Sequence, residues 1–141
     1  MNGIDKIPLL KISFVIESKD IDCDDITEQL SMPPTSIRGV EDWPETIKNG
    51  NLPDHLQPRN VWELSMKAKS QDQIETAFSL LTEQLLAAKE RLEMLKDRYF
   101  IWSALVVALS GECSRDYNIP LPVSLIMLMH ELGAEIRVVV R

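Results

Sequence analysis

Residues 70–97 read SQDQIETAFSLLTEQLLAAKERLEMLKD. Ile74, Phe78, Leu81, Leu85, Ala88, Leu92 and Leu95 recur at spacings of four and three. That period sets all of them on one side of an α-helix of roughly seven turns. Ser70 stands where an N-cap is wanted, and Gln73 follows it at capping-box spacing. Such a stripe has two readings, a coiled-coil seam or a helix laid across a sheet. It lasts only about three heptads, and strand patterns flank it on both sides. A helix from about Gln71 to Asp97 packed on a sheet is therefore expected, with a bend allowed at Ala87–Ala88.

On its N-terminal side, NVWELSMKA (60–68) alternates Val61, Glu63, Ser65 and Lys67 against Trp62, Leu64, Met66 and Ala68. On its C-terminal side, RYFIWSALVVALSG (98–111) is β-rich and nearly continuous in apolar character. It reads as a central strand covered on both faces for part of its length. LLKISFVIES (9–18) sends Leu10, Ile12, Phe14 and Ile16 one way and Lys11, Ser13, Val15 and Glu17 the other, a strand with one buried face. DDITEQL (24–30) is a short helix capped by Asp24 or Asp25, with Ile26 and Leu30 one turn apart. Five prolines and two glycines then break up residues 31–60 around Trp43, His55 and Leu56, leaving only TSIRGV (35–40) as a short strand. Loops of this length in compact domains are often functional. Pro120 and Pro122 open a last helix, Gly133 closes it, and AEIRVVVR (134–141) is the final strand.

The expected fold is thus α+β in a single domain over residues 1–141. It has a mostly antiparallel sheet of about five strands, helices mainly on one face, and the order β-α-β-β-α-β-α-β.

The chain has 141 residues, 45% of them hydrophobic and 26% charged, the composition of a soluble globular domain. Its longest apolar run, IWSALVVAL (101–109), is about half the ~20 residues a membrane span requires. The first residues carry no basic stretch ahead of an apolar one, so no signal peptide and a cytoplasmic location are expected. Cys23 and Cys113 have no metal spacing and are expected as free thiols. The formal net charge of −7 disfavours nucleic acid and acidic membranes as direct partners and would attract a basic one.

Three features are candidates for function. In the last helix, Leu125, Leu128, Met129 and Leu132 form a face for the sheet, while Val123, Ile126, Met127 and His130 form a second, mostly apolar one. Such a helix is either buried on both sides or offers one to a partner. His130 has no Ser, Cys or Asp at nucleophile–base spacing, so it reads as an interface or core-edge residue rather than a catalyst. The run ESKDIDCDDITE (17–28) begins like a calcium loop at Asp20, Asp22 and Asp24, but Asp25 stands where glycine is needed and Ser31 where glutamate is needed. It remains either a solvated turn or an acidic docking patch. Trp62 and Trp102 lie in strands and are expected in the core; Trp43 in the loop is either an interface anchor or a cover for the sheet. Glu17, Asp20, Asp22, Asp24, Asp25, Glu28, Trp43 and His130 are therefore the candidate partner-binding residues, with no catalytic, cofactor or metal residues expected.

LSMPPTSIRG (30–39), VWELSMKA (61–68), the Leu-rich helix and the ending LMHELGAEIRVVVR (128–141) together resemble a bacterial domain-of-unknown-function family, the DUF4279 type. The likeness runs from Leu9 onward. The Pro-rich loop is longer and less basic than that pattern, and the long helix reads without the break often seen there. The resemblance implies kinship with immunity proteins encoded beside secreted bacterial toxins, and it brings no catalytic residues. Two functions are therefore expected to compete. One is a cytoplasmic immunity protein, a monomer or weak homodimer, that occludes the active site of a basic cognate toxin such as a nuclease. The other is a small-molecule-binding or enzymatic domain with a pocket between the sheet and the Pro-rich loop.

Overall fold

The computed structural model describes residues 10–45, 53, 57–110 and 119–140; His55, Leu56 and Cys113 lie outside them. The alternating segment near the N-terminus forms β1 (Leu10–Ser18), and it is the hinge of the architecture. All nine of its residues pair antiparallel with β3 (Asn60–Ala68) on one side and with β4 (Ile101–Leu109) on the other. Short β2 (Ser36–Arg38) adds antiparallel to β3, and β5 (Glu135–Val140) adds parallel to β4. The order is β2-β3-β1-β4-β5, a mixed sheet with a single parallel junction. The mostly antiparallel α+β arrangement read from the sequence is the one observed.

Helices pack on the face to which Leu10, Ile12, Phe14 and Ile16 point, and all four are buried. α1 (Cys23–Leu30) is capped by Asp22, whose Oδ1 accepts from the Asp25 N–H at 2.8 Å, two or three residues before the Asp24 or Asp25 cap expected. Ile26 and Leu30 face inward, and the Trp62 indole N–H donates to Thr27 Oγ1 at 3.0 Å, tying the helix to β3. Cys23, at the start of α1, is a buried free thiol.

The long helix, read without a break but with a bend allowed at Ala87–Ala88, is two helices, α2 (Gln71–Ala87) and α3 (Lys89–Arg98), parted at Ala88, where φ is −99° and ψ 6°. The backbone ladder bends without being cut. The Ala88 N–H still reaches the Gln84 carbonyl at 3.2 Å, and the Leu92 N–H reaches that of Ala88 at 2.9 Å. Every residue of the seven-residue stripe, Ile74 to Leu95, is buried. The bend changes what buries it: α2 lies over β3 and β1, whereas α3 packs beside α1 and the last helix. The capping box is not made. Ser70 contributes no side-chain bond, and Gln73 Oε1 reaches past it to the Lys69 N–H at 2.7 Å.

α4 (Val123–Leu132) starts behind Pro122 and ends at Gly133, whose φ of 65° is the left-handed geometry that favours glycine. Leu125, Leu128, Met129 and Leu132 are buried, and Val123, Ile126, Met127 and His130 are exposed. Of the two alternatives for this helix, it is buried on one side only. Among the described residues, no helix is long and apolar enough to cross a membrane.

Leu85 sits at the centre of the stripe with no exposed surface. Leu85→Asp places an unpaired charge there at a cost of several kcal/mol, against a domain stability of ~5–15 kcal/mol. Loss of the cooperative unfolding transition in circular dichroism is the expected outcome; a well-folded variant would mean that the stripe does not carry the core.

Candidate functional site

Because side chains alternate along a strand, the residues of β1 that turn away from the helices define the sheet's other face. Lys11, Ser13, Val15 and Glu17 are flanked in register by Lys67, Ser65, Glu63 and Val61 of β3. On the other side they meet Ala108, Val106, Ala104 and Trp102 of β4. No described helix covers this face, and polar residues are concentrated on its β1–β3 side, at Lys11, Ser13, Glu17, Glu63, Ser65 and Lys67.

Its centre is Glu63. Ser13 Oγ donates to Glu63 Oε2 at 2.9 Å, Ser65 Oγ donates to the same oxygen, and Lys11 Nζ lies 3.1 Å from it. Partial burial alone would raise the Glu63 pKa. The bonds from Ser65, Lys11 and Ser13, with the charge of Lys11, more than offset that and hold the carboxyl below its ordinary value. Toward one end of β1, Glu17 pairs with Arg59 at 3.3 Å. On the β5 side, Trp102 donates its indole N–H to Glu135 at 2.6 Å, and the Arg137 guanidinium lies 4.9 Å from the centre of its ring. Trp102 is thus half-buried on the open face rather than in the core. The continuous apolar run of β4 hid its orientation; only at Ala104 and Leu105 are consecutive residues of that strand fully buried.

At the Ser18 end of β1 the face opens into a cleft of about 570 Å³. Glu17, Lys19 and Asp20 line one side; Arg59, Phe100 and Trp102 line the rest. Phe100 is fixed by its backbone. Its carbonyl accepts from Ser18 Oγ at 2.8 Å and its N–H donates to Asp20 Oδ2 at 3.0 Å, yet its side chain is 87% exposed. The two bonds fix the backbone at Phe100 and so place its apolar ring at the mouth of the cleft, open to a partner. Ser18 Oγ, which also accepts from the Asp20 N–H at 3.0 Å, is committed to this scaffold. The segment that returns from the Pro-rich loop supplies Arg59 to the cleft.

The acidic run does not stay together. Glu17 and Asp20 join the cleft, one in an ion pair and the other holding Phe100. Asp22 caps α1. Asp24, Asp25 and Glu28 remain on the exposed side of α1, and no ion pair among the described residues uses them. Trp43 is half-buried: its indole N–H donates to the Arg59 carbonyl at 2.8 Å and Arg38 stacks 4.3 Å from the ring centre, so it braces the loop against β2 and β3. His130 stands on the outer side of α4 and is not among the residues lining the cleft.

Among the described residues, no cluster of His, Cys, Asp or Glu is arranged to hold a metal ion. The Cys23 thiol is pushed up by burial, with Asp22 and Asp24 adding to the effect, which makes it a poor nucleophile. A family model described as "Domain of unknown function (DUF4279)" matches residues 8–140. No curated protein and no solved structure matches the chain.

The depressed Glu63 carboxyl links the open face to stability. Its folded pKa lies below the ordinary value of 4.5, so it contributes stability that is present above that pH and lost as pH falls through the folded value. The difference in unfolding free energy between wild type and Glu63→Gln should be constant near neutrality and shrink in acid below pH 4.5. Urea melts across that range measure it, and a gap independent of pH would contradict the assignment.

Proposed function

The chain belongs to the DUF4279 family, and we propose that it is a protein-binding module, an immunity protein that holds a basic bacterial toxin in the cytoplasm and covers its active site. The observation that carries this reading is the unneutralised acid on α1. Asp24, Asp25 and Glu28 are exposed, the helix contains no Lys or Arg, and no described ion pair quenches the three carboxylates. On the open sheet face, by contrast, Glu63, Glu17 and Glu135 each have a cationic neighbour. α2 extends the same character, with Asp72, Glu75 and Glu83 exposed and again no Lys or Arg. A negative surface of this kind steers a cationic partner, and association rates rise from ~10⁵–10⁶ toward ~10⁸ M⁻¹s⁻¹ or more when potentials match. A nuclease fits as the toxin class, because an active site built for nucleic acid is itself positively charged. The exposed Phe100 ring beside the cleft supplies an apolar anchor of the type that carries interface energy.

The test uses the toxin encoded beside the chain's gene. Asp20 and Asp22 have structural duties, so the informative variant is Asp24→Asn/Asp25→Asn/Glu28→Gln. Its association rate at low salt should fall about tenfold, and the difference should vanish as salt rises, because exposed charges are screened beyond roughly 8 Å at physiological ionic strength. Phe100→Ala should act mainly on dissociation. Parallel salt dependences for wild type and the triple variant would remove α1 from the interface. Unchanged toxin binding in both variants, with a small molecule bound in the cleft, would favour the ligand-binding alternative.

A further inference from the structure

β5 is an edge strand of an unusual kind. Among the described residues it pairs only with β4, so its outer side presents backbone N–H and C=O groups that no described strand takes up. Natural edges are protected by shortness, charged side chains, proline or a bulge. The opposite edge, β2, is three residues long. β5 is less protected: EIRVVV runs six residues in unbroken register with β4 without lysine or proline, and its two charges, Glu135 and Arg137, are paired with each other. On its helix-facing side Ile136, Val138 and Val140 are left open, and α4, which packs on β5, turns Val123, Ile126 and Met127 outward. These six apolar side chains are between 40 and 71% exposed.

We infer that this edge is a self-association surface, where β5 of one copy pairs antiparallel with β5 of a second across a two-fold axis normal to the sheet. Three observations select a second copy as the occupant. The first is register. With the axis at Val138, Val138 faces its own counterpart, and Ile136 faces Val140 of the other copy, so every helix-side pair is apolar. The second is layering. An axis normal to the sheet keeps the helices of both copies on one side, which brings the two outward faces of α4 together over the seam. The third is charge. At this edge Glu135 is paired with Arg137, and the single carboxylate of α4, Glu131, is paired with Lys89. The unneutralised acids stand on α1 and α2, which pack on β3. Here, then, a chain of net charge −7 meets itself with the least repulsion, whereas a basic partner is drawn elsewhere. Six partly exposed side chains and one strand edge make a patch smaller than the about 800 Å² per partner of a standard interface. A dimer that dissociates on dilution is expected.

Analytical ultracentrifugation of the full chain over a wide concentration range tests this. Wild type should shift from the chain mass to twice that mass. Val138→Lys and Met127→Glu, both at exposed positions, should remain monomeric while keeping the wild-type circular dichroism and unfolding midpoint. Register is read separately by cross-linking in a Cys113→Ser background. Val138→Cys should form a reducible dimer on mild oxidation, because directly opposed residues lie within disulfide reach, whereas Val140→Cys should not, because it faces Ile136. A wild type that stays monomeric throughout overturns the inference. So does a dimer that survives both surface substitutions, or Val140→Cys cross-linking as readily as Val138→Cys.

Discussion

β1 is gripped from both sides over its whole length, and that double pairing governs where everything else can sit. Its alternation leaves one register in which Leu10, Ile12, Phe14 and Ile16 reach the helices. Shifting β1 by one residue against its neighbours would turn those side chains toward solvent and drive Lys11 and Glu17 into the core. The same register fixes the open face. It sets Ser13 beside Ser65, and with that places both hydroxyls on the Glu63 carboxylate; it also sets Glu17 beside Trp102 at the mouth of the cleft. Asn60 then locks the loop connections to this frame. Its side chain donates to the Ile21 carbonyl and accepts from the Val40 N–H, both at 3.0 Å, so one buried amide joins the turn before α1, the segment after β2 and the start of β3.

From this frame follows a division of charge that the overall composition conceals. The carboxylates of the sheet face are answered by Lys11, Arg59 and Arg137 and contribute little net field. Those of α1 and α2 lie in helices with no cation of their own. On the helical side α1 and α2 thus display acid alone, while α3, packed beside α1, carries Lys89, Arg91, Lys96 and Arg98. Electrostatic attraction depends on such local imbalance more than on the total, because pairs within a few ångströms cancel at distances comparable with the Debye length.

Period-two alternation made the strands legible: β3 begins and ends where the Asn60–Ala68 pattern does. The two faces of α4 were equally readable, since Leu125, Leu128, Met129 and Leu132 share a helical side that the fold buries. The break at Ala88 had no sequence marker beyond the alanine pair, because neither proline nor glycine is present there. It arises from what lies beneath, sheet under α2 and other helices under α3. The cleft was illegible for a different reason. Its key contact joins Ser18 to Phe100, 82 positions apart, and no local pattern announces that an aromatic one residue ahead of a strand will be pinned outward. Proximity in sequence also misled. The acids from Glu17 to Glu28 look like one patch, yet a strand end, a turn and a helix cap send them to three surroundings.

The placement of the two proposed surfaces is mutually consistent on physical grounds. β5 and β3 stand on opposite sides of β1, and α1 packs on β3. A two-fold pairing at β5 therefore leaves both copies of α1 toward the outer ends of the joined sheet, where their like charges are well separated and screened. Each copy keeps its own acidic helix and its own cleft, because no residue lining the cleft belongs to β5 or α4. Partner binding at one copy then makes no direct contact with the seam. The reverse arrangement, self-association through α1, would press unneutralised carboxylates together and cost several kcal/mol. The same charge that draws a basic partner to the helical side thus directs self-association to the apolar edge.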